Sequence, residues 1–335
     1  MPLAGELGRR LNADQRFQFD VQGYCVIEGA LDPAALRKIN QALDPIEELA
    51  ARFARHHDQI DSEPNPALRH GGFGKIVGDG APEIDGAWPG LERLGLHIDR
   101  ENEGLKLWVF DLLDVAPELA LPLAANPRLR PYVAEMVERP SVGLFGARFQ
   151  WRGAESHIHG SRDNISAPPK GGGPEAGGNY RVVREDSGGG GEAPRLRNDA
   201  FRLMYMLSDI ESGGGALRVV PGSHKRGVPW QPAGVQQRQP SGNTRFEEIS
   251  PSQAANFVEL TGKAGTAVVF THDLIHCSWH STDTYRRVVH LTFSSGSEEE
   301  AQAAPPPVVE GEDEWLAYVL RDRPAKPTSS EAARL

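Results

Sequence analysis

The stretch ThrHisAspLeuIleHisCysSerTrpHisSerThrAspThrTyrArgArg, positions 271 to 287, places three histidines and two arginines close together. A neutral imidazole is a good ligand for iron. A guanidinium held beside it can bind a carboxylate through two parallel hydrogen bonds, as an oxo-acid cosubstrate requires. In the strand predicted to follow, Arg287, Val289, Leu291 and Phe293 share one face by the period of two, and Arg286, Val288, His290 and Thr292 share the other. The apolar face is expected to point inward. On that phase Arg287 is the buried anion anchor and Arg286 a solvent-facing charge, because a buried arginine needs a partner and a bound carboxylate supplies one. Two surface arginines on an edge strand are the plainer alternative.

A second histidine group stands in SerHisIleHisGlySerArgAspAsn, positions 156 to 164, where His157 and His159 are two apart and therefore share a strand face. His272, His280 and His290 are expected to be structural or exposed, and His56 and His57, in a charged helix, to be solvated. Asp209 and Glu211 fit a turn better than a general acid/base pair.

These residues need strands to hold them, and the second half of the chain supplies short strand-like runs at 201–207, 217–220, 266–271 and 287–293, separated by Gly, Pro, Ser and Asp clusters. That rhythm predicts a β-sandwich or barrel. Ahead of it, Asp32-Pro33 and Asp44-Pro45 each place a capping carboxylate before a proline suited to the first helical position, which predicts two consecutive helices. Leu36, Ile39 and Leu43 give the first an apolar stripe, and Ile46 and Leu49 begin one on the second. Asn126-Pro127 opens a further helix ending near Glu138. Residues 58–104 are read as irregular connection. The Gly-rich stretch at about 168–194 is read as an inserted loop, a lid or a plain surface loop, and it lacks the flanking strand and helix of a phosphate-cradling motif. The acidic and Pro-rich tail from 297 to 335 is expected to be loosely attached.

Composition narrows the function. With 46 acidic and 36 basic residues, a formal charge of -10 gives no footprint for nucleic acid. Two cysteines far apart, Cys25 and Cys277, form neither a disulfide framework nor a clustered metal site, so a reducing, cytoplasmic setting is expected. The N-terminal residues lack a continuous apolar stretch, so neither a signal peptide nor a membrane span is predicted.

Three further segments occur in a fixed order: PheAspValGlnGlyTyrCysValIleGluGlyAlaLeu at 19–31, AsnProArgLeuArgProTyrVal at 126–133, and MetLeuSerAspIleGluSerGlyGlyGlyAlaLeuArgValValProGlySerHisLys at 206–225. Together with the histidine segments they resemble the phytanoyl-CoA dioxygenase family, a branch of the iron(II)/2-oxoglutarate oxygenases, over about Phe19 to Phe293. The resemblance implies a mainly β fold with flanking helices around a double-stranded β-helix (jelly-roll, cupin-like) core at about 142–294. It makes residues 1–296 a single oxygenase domain. It also implies Fe(II), the cosubstrate 2-oxoglutarate, dioxygen and a small-molecule substrate, with hydroxylation accompanied by release of succinate and CO2.

Carried over position by position, the resemblance makes His276 the distal iron ligand, Arg287 the arginine that binds 2-oxoglutarate and Ser278 its helper at the cosubstrate carboxylate. His224 becomes a turn-fixing residue. The proximal half departs from the family's His-x-Asp: His159 sits best at the histidine, and Ser161 stands where the aspartate should be. Asp163 then supplies the carboxylate; or His157 joins His159 in a three-histidine iron oxidase site; or the position stays open, as in iron halogenases. A non-catalytic small-molecule-binding module of the same fold is the reading without metal.

Overall fold

The computed structural model describes residues 11–60, 95–99, 106–110, 112, 116–137, 140–150, 156–159, 181–183, 195–198, 200–225, 249–280, 282, 284–295, 315–316 and 319. Helix α1 (Ala13–Gln22) opens on a capping box, in which the Asn12 side chain accepts from the Gln15 amide at 2.9 Å and the Gln15 side chain accepts from the Asn12 amide at 3.0 Å. It ends on Gly23 in the left-handed region, φ 82°, and the chain turns into β1 (Tyr24–Ile27). Only glycine fits this turn, since a Cβ there would stand 2.5 Å from Nδ1 of His224. His224, fully buried, donates from Nε2 to the Asp20 carbonyl at 3.0 Å. It is the turn-fixing residue expected.

Helix α2 (Pro33–Ile60) is one helix of 28 residues, where the sequence predicted two. Asp32 caps it, accepting from the amides of Ala34 and Ala35 at 2.8 Å each. Pro45 lies inside it. A proline there removes a single backbone bond to the preceding turn. Ile39, Leu43, Ile46 and Leu49, all buried, carry one apolar stripe straight through that point and outweigh the loss.

The strands follow as β2 (Gly95–Asp99), β3 (Lys106–Phe110), β4 (Pro140–Gln150), β5 (Ser156–His159), β6 (Arg181–Val183), β7 (Arg195–Arg197), β8 (Ala200–Met206), β9 (Gly214–Val219), β10 (Val258–Leu260), β11 (Ala267–Thr271), β12 (His276–His280) and β13 (Arg286–Ser295). The four strand runs predicted from sequence fall on β8, β9, β11 and β13. Residues 95–99 and 106–110, the first of them read as irregular, pair as a hairpin. The helix predicted after Asn126 runs from Arg130 to Met136. Of the Gly-rich segment, the three residues of β6 pair with β7 outside the main sheets.

A seven-stranded antiparallel sheet in the order β1-β11-β8-β13-β4-β3-β2 faces a four-stranded sheet in the order β10-β9-β12-β5. This is the two-sheet jelly-roll arrangement. The central strands β8, β11 and β13 of the large sheet are largely buried on both faces. Val288, Met204, Met206 and Phe270 pack inward with Leu217 and Val219 of the small sheet. Val289, Leu291, Phe293, Leu203 and Tyr205 pack outward in a cluster with Ile39 and Leu43 of α2. Trp315, Leu316 and Val319 also belong to the outer cluster, although their stretch of sequence was expected to be loosely attached. The Trp315 indole donates to the Ala124 carbonyl at 3.1 Å. No helix among the described residues is long and apolar enough to cross a membrane.

Candidate active site

His276 opens β12, the strand between β9 and β5. Strand alternation sends His276 and Ser278 to one side, where both are 2% exposed and line a cavity between the sheets. Cys277 goes to the other side and packs with Ile158, Ile249 and Ile275. Nδ1 of His276 donates to the Leu274 carbonyl at 2.6 Å. That bond selects the tautomer whose Nε2 carries a lone pair, the form a metal requires. The edge of Phe270 meets the ring at a centroid distance of 5.1 Å and fixes its plane.

Directly across the antiparallel pair from His276 is His159. Opposed residues of such a pair lie on the same face of a sheet, with Cβ atoms about 4.5–5.5 Å apart. The two histidines singled out from sequence, 117 positions apart, are therefore brought together by strand register. Ser278 pairs with Ser156, and a bulge between the two pairs shifts the register by one residue. His157 lies in β5, whereas Ser161 and Asp163 lie outside the described residues.

The two adjacent arginines part company. Arg287 faces outward to α2, where it donates to Asp44 Oδ1 at 2.8 Å, to Asn40 Oδ1 at 3.0 Å, to Tyr285 Oη at 2.9 Å and to Glu47. Burial alone would depress it, but Tyr285, Asp44 and Glu47 hold it above the ordinary arginine range. Arg286 faces inward to the cavity and is 1% exposed. The expectation that Arg286 is a solvent-facing charge is thus corrected, whereas Arg287 is buried as expected, but against helix α2 and not in the cavity. The apolar face of β13 does point to a core, but to the core under the helix, and the second face is buried too.

Arg286 shares the cavity with Arg148 of β4, Arg202 of β8 and His290, which was expected to be structural or exposed. Its Nη1 donates to Gln150 Oε1 at 2.8 Å and its Nη2 lies 3.3 Å from the Met204 sulfur, both neutral partners. Burial, with Arg148 nearby, pulls Arg286 down to about 9, and burial pulls Arg202 down to about 10. Burial together with Arg148, Arg286, Arg202 and His276 holds His290 well below the ordinary histidine range. No carboxylate lines the cavity among the described residues. Its field is cationic and attracts anions.

Trp108 of β3 forms a wall, with the Arg148 guanidinium 4.0 Å from its ring centroid. The indole fits because residue 146 is glycine: a Cβ there would stand 2.8 Å from the Val109 carbonyl and 2.9 Å from Trp108 Nε1. Sequence reasoning passed over Arg148, Arg202 and Trp108. The one signal that bears on them is the polar face of β13, where Arg286 and His290 alternate with Val288 and Thr292.

Residues 173–288 match the family model of phytanoyl-CoA dioxygenase (PhyH), a span that includes His276, Ser278 and both arginines. The chain resembles the phytanoyl-CoA dioxygenases. This match is narrower than the stretch from Phe19 to Phe293 on which the resemblance was read. L-proline trans-4-hydroxylase of Streptomyces griseoviridis is 29% identical over 128 residues, 34% of this chain and 48% of that protein, so the chain spans about half the length of the curated relative it matches. HygX from Streptomyces hygroscopicus, crystallised with nickel and 2-oxoglutarate, superposes with a TM-score of 0.53 at 15% identity, over 85% of this chain and 87% of HygX. The iron-bound HygX structure gives a TM-score of 0.53 at 14% identity over the same shares. These superpositions show a common fold, the two-sheet jelly roll.

Proposed function

We propose that this chain is an iron(II)- and 2-oxoglutarate-dependent oxygenase that hydroxylates a small organic molecule with release of succinate and CO2. The observation that carries the reading is the meeting, in one cavity, of His276 in the metal-binding tautomer and Arg286, a buried guanidinium without a carboxylate partner among the described residues. The PhyH match and the L-proline hydroxylase relative support the same chemistry.

His276 and His159 are the histidine ligands. The third ligand is assigned to Asp163, with His157 as its rival. Arg286 takes the position first given to Arg287 and binds the distal carboxylate of 2-oxoglutarate, with Ser278 beside it. Iron(II) with 2-oxoglutarate supplies dioxygen activation coupled to loss of CO2 from the cosubstrate. The chain's own part is to orient and to exclude water. Leu274 holds the His276 ring, Gln150 steers the Arg286 fork, and Phe270, Leu217 and Trp108 keep the surroundings dry. We place the enzyme in the cytoplasm, in keeping with the absence of a disulfide between Cys25 and Cys277, and assign it no nucleic-acid partner on its charge.

The test is iron binding and 2-oxoglutarate turnover by the protein purified without oxygen. About one iron(II) per chain and formation of succinate are expected, and His276→Ala should remove both. Unchanged iron content in that variant would overturn the site.

A further inference from the structure

Three guanidiniums line the cavity from different strands; Arg148 stacks on the Trp108 ring, and one cosubstrate carboxylate compensates only one of the other two. Arg286 is cross-strand from Gln150 on β4, and Arg202 of β8 is cross-strand from Thr292. Arg286 and Thr292 are six residues apart on β13, roughly 20 Å of strand. The Nη2 of Arg202 donates to His272 Nε2 at 2.7 Å, an acceptor without negative charge, and its sealed Nε has no hydrogen-bond partner among the described residues. Both residues are aimed at the same space, with Phe270 and His276 between sheets beside them. In the site proposed above, 2-oxoglutarate spends one carboxylate on the metal and the other on Arg286. Nothing then balances Arg202.

We propose that Arg202 anchors a carboxylate of the substrate, so that the molecule oxidised is a small organic acid held with its anionic end at β8 and its reacting carbon near His276. The inference rests on the cosubstrate reading of the cavity, which leaves Arg202 without a compensating charge. A purely structural arginine at this half-buried position would be expected to meet a carboxylate, because an unpaired charge held partly out of water costs stability. Arg202 meets a neutral imidazole, and the ligand supplies the missing charge.

The test uses the full chain loaded with nickel(II), as a redox-silent metal, and saturating 2-oxoglutarate. Acetate, benzoate and the common amino acids are each compared with the corresponding neutral amide by thermal shift and calorimetry. At least one acid is expected to bind where its amide does not, and Arg202→Gln should weaken that acid about 10- to 100-fold, the range for a hydrogen bond to a charged group. Arg202→Lys, which keeps the charge, should retain the preference for acid over amide. The unliganded Arg202→Gln protein should melt no lower than the wild type, since it loses an uncompensated charge; a fall of several degrees would make Arg202 structural and overturn the proposal. So would acids and amides that bind alike, acids that never bind, or an Arg202→Gln variant that loses 2-oxoglutarate as completely as Arg286→Gln. Titrations without 2-oxoglutarate separate the two readings. If the wild type binds no 2-oxoglutarate yet tells acid from amide through Arg202, the cosubstrate reading falls and the carboxylate subsite stands.

Discussion

Arg286 and Arg287, neighbours in sequence, lie on opposite faces of one strand: the first enters the cavity beside His276, and the second clamps Asp44 and Glu47 of the long N-terminal helix. Their substitutions should separate cleanly. Arg286→Ala is expected to weaken 2-oxoglutarate binding about 100-fold, as the loss of a bidentate charged pair implies. Arg287→Ala should change that affinity less than about 3-fold but lower stability by about 1–3 kcal/mol, a buried ion pair discounted for the exposed Asp44. Calorimetry and urea denaturation read the two effects. Equal losses of affinity would refute the assignment.

The third ligand is decided by Asp163→Ala and His157→Ala, prepared separately. Loss of a true ligand costs orders of magnitude in iron affinity, whereas loss of a supporting hydrogen bond costs about 10- to 100-fold. Asp163→Ala is expected to fall in the first class and His157→Ala in the second. The reverse order would make this a three-histidine site.

Gly146→Ala should disturb the wall of the cavity, because the new methyl meets a backbone carbonyl and the Trp108 indole inside 3.0 Å. Overpacking of this kind costs about 1–3 kcal/mol. Displacement of Trp108 should also shift the tryptophan emission. An unchanged melting temperature and unchanged emission would show that Trp108 rests elsewhere.

His224 gives the fold an acid-sensitive point at the turn it locks to Gly23. Burial lowers its pKa from 6.5 to about 4 despite the Asp20 carbonyl, which favours the protonated form. The unfolded chain therefore binds a proton that the folded chain refuses between those values, so stability falls as pH drops from about 6.5 toward 4. The loss from pH 7 to pH 5 is on the order of 2 kcal/mol. His224→Gln, which cannot titrate, should flatten that part of the denaturation profile. A slope as steep as the wild type's would assign the acid sensitivity to other groups.

The strand pattern and the motif residues His276 and Ser278 were readable because alternation and local spacing carry them. His159 and His276 were each singled out from local sequence, but the register that sets them opposite each other is a long-range property. The burial of Arg286 was misread for a definite reason. Phase arguments assume one buried face, and β13 has two, with the more apolar one turned to helix α2. Arg148 and Arg202 lie on distant strands and join the site through pairing alone. Pro45 was read as a helix start, and the buried stripe on both sides of it carried the helix through. Trp315 was hidden in an acidic, proline-rich context whose composition says little about one docked aromatic side chain.

The acidic pair on the long helix works as a sorting device. Two consecutive arginines give the strand no preference of their own for which one enters the cavity, and a slip of one residue would exchange them. Asp44 and Glu47 sit only on the outer side, so they capture whichever guanidinium arrives there and commit the other to the interior. A slip of the strand by one position would therefore still leave one arginine clamped by the helix and one in the cavity, provided that the helix keeps its carboxylates and the strand its second arginine.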